Sequence, residues 1–555
     1  MRVLNEPMTL VLNPPFKDLA PPVKRRHTHT RPRFGTTGAR EAITSGLAGF
    51  PARWLPLGAL LALQSFLSYR LIRSNTAFLD EGTYLSAGHQ LLHAWMHGGP
   101  NMSYETYFSG APVIYPVIGA LFDSVGGLAA ARLFSLALML ATTILAYASA
   151  RRLGGTVAAW FAAAVFVCLQ GTQYLGAFAT FDAMALALIA LASWIVIRSA
   201  SSAGHVPVTI YWAAPVLVFA NATKYAAAIF DPVVIVIALL VVAARFGWRA
   251  GLRCSGILAA LTVALASSLL AVAGSGYWAG VTSTTTNRSG SDATVHLILS
   301  DTVSWIGAII VLSALGAVVL VIMAARGRIS LPYALLAVAL FGATLLAPAN
   351  QARIHTATSL SKHVNYGAWF GALLAGYFLS CVVGRGVKHS WRYLVALPLV
   401  ALMLVAGTNQ AHKEFGSWIN TTSFVKGIQP VVRNDSGPVL MDDVSVPTYY
   451  LGAGVDPTRW VSTFYFHYDR GPGLTPLVGK AAYTTAIDQD YFTVIALDWG
   501  DERSIDGAIG KAIAQNPDYH FVGKFGSYHS KIKASYVVWR LKPTEVAHGR
   551  SRPGN

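Results

Sequence analysis

A few charged positions carry most of the chemistry this chain could perform. Asp80 and Glu81 stand side by side in Thr76-Ala77-Phe78-Leu79-Asp80-Glu81-Gly82-Thr83-Tyr84. Asp182 follows Thr180-Phe181, Lys224 precedes Tyr225, and a later stretch supplies Arg353, Lys362 and His363. A carboxylate can take the proton of a hydroxyl, and a held cation can stabilise negative charge as it develops on a leaving group. All of these residues fall at the ends of long apolar segments, where desolvating a charge is costly and its presence needs a reason.

The elements that must position them are membrane spans. Apolar types make up 54% of the 555 residues and charged types only 12%, about half the charged share of a soluble domain. That composition is expected of a polytopic α-helical membrane protein. About eleven transmembrane helices are expected: 54–72, 128–150, 154–173, 182–198, 208–221, one from about 224 to 245, 256–274, one ending near 325, 331–347, one ending near 385, and 393–407. Every connection expected on the inner side carries Arg or Lys, among them Arg151-Arg152, Arg249, Arg326 and Lys388. The net charge of +17 is therefore a signature of topology and not of nucleic-acid binding. On this alternation Asp80, Glu81, Asp182, Lys224, Arg353, Lys362 and His363 converge on the outer rim. Ion pathways place carboxylates nearer mid-membrane. A charged rim fits chemistry on a substrate that enters from lipid and outer solvent together.

Four regions are expected. Residues 1–53, with Lys24-Arg25-Arg26 and two Pro pairs, read as a disordered basic cytoplasmic tail. Residues 54–407 form the transmembrane part. Residues 408–543 return to ordinary polarity and read as an extracytoplasmic α/β domain, with strands near Val439–Met441, Phe492–Leu497, His520–Phe525 and Ala534–Leu541 and a helix from Ser504 to Gln515. Residues 544–555 read as a disordered tail. Cys168, Cys254 and Cys381 are too scattered for a disulfide framework or a metal motif.

Plain structural roles compete with these readings. Asp80 or Asp182 could cap the helix that follows, Glu81 suits a first turn, and Lys224 could snorkel to the interface. His89, His93 and His97 recur every fourth residue; a polar stripe facing headgroups accounts for them better than a metal site.

The motifs also resemble a family. Phe78-Leu79-Asp80-Glu81-Gly82-Thr83-Tyr84, Ala129-Ala130-Ala131-Arg132-Leu133-Phe134-Ser135, Thr180-Phe181-Asp182-Ala183-Met184-Ala185-Leu186 and Ala222-Thr223-Lys224-Tyr225 are similar, in that order, to motifs of the GT-C lipid-linked-sugar glycosyltransferases. The nearest group is that of the protein mannosyltransferases and aminoarabinose transferases (glycosyltransferase family 39-like). The resemblance implies a sugar donor on polyprenyl phosphate, an inverting transfer at the outer face of the cytoplasmic membrane, and a lipid, glycan or protein acceptor. Under it Asp80 is the expected general base and Glu81 positions Asp80 or binds acceptor. Asp182 orients the acceptor or the sugar hydroxyls, and Lys224, aided by Lys362 or Arg353, stabilises the leaving phosphate. So many acids admit a divalent metal, which nothing in the sequence requires. The competing reading is a transporter or flippase of lipid-linked intermediates, which would need mid-membrane charges and internal repetition that the sequence lacks.

Overall fold

The computed structural model describes residues 54–98, 103–199, 205–287, 293–384, 392–500, 503–526 and 535–542. The two expected tails lie outside these residues. In chain order the helices of the apolar region are α1 (Leu55–Ile72), α2 (Leu79–His97), α3 (Tyr115–Cys168), α4 (Gln170–Leu175), α5 (Phe181–Ser199), α6 (Ala213–Thr223), α7 (Asp231–Phe246), α8 (Trp248–Ala273), α9 (Ser275–Thr284), α10 (Val295–Ala325), α11 (Leu331–Arg353), α12 (Leu360–Val383) and α13 (Tyr393–Phe415). Among the described residues nine helical runs are long and apolar enough to cross a membrane.

The longest, α3, has 54 residues, or about 80 Å at 1.5 Å per residue, against a hydrocarbon core of about 30 Å. It does not run straight. Gly127 and Gly155 have φ of 63° and 85°, a left-handed conformation that ends a right-handed helix and that glycine adopts without a Cβ clash. Gly155 follows Arg151-Arg152-Leu153-Gly154, so the expected second and third spans are the pieces on either side of it. Val208–Thr223, a shorter apolar helical pair, is the expected fifth. The expected eleven spans and the nine long runs are thus the same elements counted differently.

The chain forms two compact units. The first comprises residues up to Arg70, Glu105–Ile114 and Arg132–Ala411; the second comprises Leu71–Tyr104, Tyr115–Ala131 and the chain from His412 onward. Helix α2 and the start of α3 therefore group with the C-terminal region. Within the first unit α12 is the central helix: 78% of its apolar window is buried, against 11% for α8. Helices α10 and α11 pack on α12 and on each other.

The second unit contains a five-stranded sheet. Its elements are α14 (Thr422–Asn434), β1 (Val439–Met441), α15 (Ser445–Leu451), β2 (Trp460–Ser462), β3 (His467–Tyr468), β4 (Leu477–Val478), α16 (Gly479–Asp488), β5 (Val494–Leu497), α17 (Arg503–Gln515), β6 (Tyr519–Gly526) and β7 (Ser535–Leu541). The strand order is β2-β1-β5-β7-β6, with β2, β1 and β5 parallel and β7 antiparallel to both β5 and β6. Strands β1 and β5 are buried along their whole length, as the continuous runs Val439-Leu440-Met441 and Val494-Ile495-Ala496-Leu497 require of a sheet covered on both faces. One apolar cluster gathers Leu440, Ile495 and Ile509, the other Phe424, Val439 and Val538. The helix expected from Ser504 to Gln515 is α17, which begins one residue earlier at Arg503.

Candidate active site

In the first unit the site is built on Asp182. The carboxylate sits in the first turn of α5, is 1% exposed, and its Oδ1 lies 2.7 Å from Lys224 Nζ. Lys224 holds its place by backbone geometry. It is extended (φ −148°) between α6 and the helical turn that follows, and the backbone on either side of it pairs with 109–111: Ala111 N donates to Ala222 O at 2.8 Å and Tyr225 N to Ser109 O at 2.8 Å. Gly110 is needed there, because a Cβ would fall 2.1 Å from Thr223 O.

Further groups converge on the same carboxylate. The Thr180 hydroxyl lies 3.3 Å from Asp182 Oδ2, and Tyr366 OH donates to Oδ1 at 3.2 Å. Lys362, one helical turn before Tyr366 on α12, is 7% exposed and has its Nζ 5.6 Å from the centre of the Phe178 ring. Lys362 and His363 both lie within electrostatic reach of Asp182. A cavity of about 310 Å³ opens beside this cluster, lined by Tyr225, Thr285, Gln351, Arg353, His363 and Tyr366. Arg353 Nη2 donates to Asn350 Oδ1 at 3.0 Å. Asp182 and Lys224 thus neutralise each other, and Lys362 and Arg353 add positive potential next to the cavity.

In the second unit Asp80 and Glu81 stand in the first turn of α2, which starts at Leu79. The N-cap is Phe78, and the buried Glu81 accepts the Phe78 backbone N–H at 3.0 Å. Glu81, and not Asp80, therefore does the capping. Asp80 is half-buried one position earlier. The segment ahead of it is tied to the C-terminal region at several points. Ala77 N donates to Tyr450 OH at 3.0 Å, Asn75 Nδ2 to Phe415 O at 2.9 Å, Trp418 Nε1 to Thr76 O at 3.0 Å, and Thr421 N to Thr76 Oγ1 at 3.1 Å. Gly82 lets α2 approach α15 closely: a Cβ would lie 2.8 Å from Ser445 O. The expected histidine stripe is divided. His89 Nε2 pairs with Asp123 Oδ2 at 2.7 Å, Asp123 Oδ1 accepts the Tyr449 hydroxyl at 2.5 Å, and the His93 and His97 rings stack 4.9 Å apart.

The structure therefore brings together Asp182, Lys224 and Lys362, joins Arg353 to them through a shared cavity, and places Asp80 and Glu81 in the second unit. Tyr366 is the functional candidate that reading the sequence missed. Its signal was available: Lys362, His363 and Tyr366 stand at i, i+1 and i+4 of one apolar helix, so Lys362 and Tyr366 share a face. Among the described residues no group of three or more His, Cys, Asp or Glu side chains is placed to hold a metal ion.

Neither a protein-family model nor a curated protein matches the sequence. Solved structures do. ArnT from Cupriavidus metallidurans bound to undecaprenyl phosphate superposes with a TM-score of 0.53 at 15% identity, covering 86% of this chain and 97% of that one. The oligosaccharyltransferase AglB from Archaeoglobus fulgidus, in complex with an inhibitory peptide and a dolichol phosphate, gives 0.53 at 13%, covering 86% and 74%. The mycobacterial arabinofuranosyltransferase AftD gives 0.51 at 14%; the match covers 88% of this chain but 41% of AftD. The motif resemblance is borne out at the level of architecture: the chain has the GT-C fold of a polytopic membrane protein.

Proposed function

We propose that the chain is an inverting glycosyltransferase that moves a sugar from a polyprenyl-phosphate donor to a hydroxyl of a lipid, glycan or protein acceptor. The transfer takes place at the outer face of the cytoplasmic membrane, with the C-terminal region extracytoplasmic. The observation that carries the reading is the cation-bordered cavity beside Asp182 in a chain whose fold is shared with ArnT bound to undecaprenyl phosphate and AglB in complex with a dolichol phosphate.

The leaving group is a phosphate monoester with a second pKa of about 6, so it departs without a general acid. The acceptor oxygen forms a bond to the anomeric carbon while the bond from that carbon to the phosphate oxygen breaks. The acceptor proton passes to a carboxylate, for which Asp80 is the assigned base. Arg353 and Lys362 supply the positive field that the departing phosphate needs. The Lys224–Asp182 pair sets the electrostatic floor of the site and, through Tyr366, the position of α12.

The test is a transfer assay of purified protein against a panel of polyprenyl-phosphate sugars, with Arg353→Ala beside wild type. One donor should be turned over, and Arg353→Ala should lower its use. No turnover of any donor, together with net movement of a lipid-linked substrate across reconstituted vesicles, would favour a flippase.

A further inference from the structure

A second polar cavity lies at the other end of α5. It measures about 430 Å³ and is lined by Arg152, Trp194, Arg198, Ser199, Thr209 and Trp212. Asp182 and Arg198 stand in the first and last turns of α5, about 24 Å apart along a helix rising 1.5 Å per residue. The cavity therefore belongs to the membrane face opposite Asp182 and is not part of the site described above.

Its chemistry is specific. Arg152 and Arg198 come from different helices, α3 and α5, and meet in one space. Neither forms a salt bridge with a described residue, and the undescribed 200–204 that follow α5 contain no acidic residue. Two guanidinium groups thus face a common cavity, and among the described residues no carboxylate is paired with either. Arg198 lies with its Cζ 5.1 Å from the centre of the Trp194 ring, which orients its planar fork. The Ser199 and Thr209 hydroxyls, hydrogen-bonded to one another at 3.4 Å, leave one O–H donor and their lone pairs for a headgroup. Trp212 is 67% exposed, in the manner of an indole that seats at the headgroup level.

We propose that this cavity binds the phosphodiester of an anionic phospholipid in the leaflet opposite Asp182. The guanidinium forks of Arg152 and Arg198 would meet the phosphate oxygens, and the two hydroxyls the remaining headgroup oxygens. Trp194 and Trp212 would flank the glycerol and upper acyl region. Basic pockets between spans are the usual means of holding such headgroups, and the fork geometry of arginine suits phosphate better than a point charge does.

The experiment uses the full-length protein in mixed micelles of equal phosphatidylglycerol and phosphatidylcholine, with the lipid that survives delipidation counted by native mass spectrometry. Wild type should retain phosphatidylglycerol in preference to phosphatidylcholine. Arg152→Gln with Arg198→Gln should lower that preference by about tenfold, the loss of two charge-assisted contacts. Arg198→Lys should lose part of it, since charge survives but the fork and the stacking do not. Arg249→Gln with Arg253→Gln, basic positions outside the cavity, should leave it unchanged. The proposal is overturned if the double variant retains phosphatidylglycerol as wild type does, or if Arg198→Lys is indistinguishable from wild type. It is also overturned if millimolar inorganic phosphate displaces the lipid, which would make the cavity a site for free anions.

Discussion

Buried carboxylates are handled in opposite ways in the two units. In the helical unit Asp182 is buried against a cation: Lys224 Nζ sits 2.7 Å away and both side chains are nearly inaccessible. In the second unit Glu81 is equally buried and accepts a backbone N–H at the start of its own helix. Asp442 of the same unit accepts the Asp498 N–H at 2.6 Å and the Thr463 hydroxyl at 3.1 Å. Burial, with Asp506 and Asp498 close by, pushes its carboxyl well above the usual carboxylate range. In the apolar interior of a helical bundle an uncompensated charge is costly, and Lys224 supplies the countercharge to Asp182. An α/β region has helix starts and strand ends whose backbone groups are unpaired, and it can hold a carboxylate by hydrogen bonds or keep it protonated.

The comparison is broken most sharply at Lys224. Lys224→Ala leaves Asp182 buried without its cation and should destabilise the helical unit by about 3–5 kcal/mol. Lys224→Met combined with Asp182→Leu should recover most of that stability without restoring transfer. Thermal unfolding in detergent beside a transfer assay separates the two effects. If Lys224→Ala melts like wild type, the pair is not what stabilises that end of α5.

Asp80→Asn comes next. The cap belongs to Glu81, so this substitution should leave folding, membrane insertion and donor binding nearly unchanged. If Asp80 is the base, turnover should drop on the order of 10²-fold or more. Normal turnover at matched membrane level would remove Asp80 from the mechanism.

Glu81→Gln keeps an acceptor for the Phe78 N–H but loses the charge at the helix start. It should cost about 1 kcal/mol of stability in the second unit. A loss as large as that at Lys224 would mean that Glu81 needs an unidentified cation, and the contrast between the units would fail.

The remaining expected effect is on pH. Burial raises the Asp443 carboxyl to about 6, and Asp442 is raised as well. A carboxyl whose folded pKa exceeds its unfolded value contributes stability that is complete below pH about 4 and is lost as pH rises through the folded value. The melting transition of the second unit should therefore fall by a few degrees between pH 4 and 7, and Asp442→Asn should flatten the slope. A transition that rises over this window would contradict the protonated state.

Much of this organisation was legible in the residues. The spans follow from long apolar runs bounded by Arg and Lys, because a backbone crossing lipid must be helical and its flanks must hold the charge. Even the reversal at Arg151-Arg152 was visible before the structure showed Gly155 turning the chain there. The charged candidates were visible for the same reason: a carboxylate or lysine at the end of an apolar run stands out against its neighbours. The strands Val439–Met441 and Val494–Leu497 could be read from continuous apolar residues, whereas Trp460–Ser462 and the β3–β4 hairpin are too short to show periodicity.

What the residues determined by themselves is the set of helices and the charges at their ends, since hydrophobicity and charge are local properties of the chain. Only the tertiary structure decided the partners. Asp182 and Lys224 are 42 residues apart and Tyr366 is 184 from Asp182, and nothing local specifies that these three meet. Likewise, Glu81 rather than Asp80 became the cap, and Thr76 and Ala77 were tied to Trp418 and Tyr450, because packing against the C-terminal region set where α2 begins. Hydrogen bonds and ion pairs depend on distances of a few ångströms, and those distances exist only once the helices have packed.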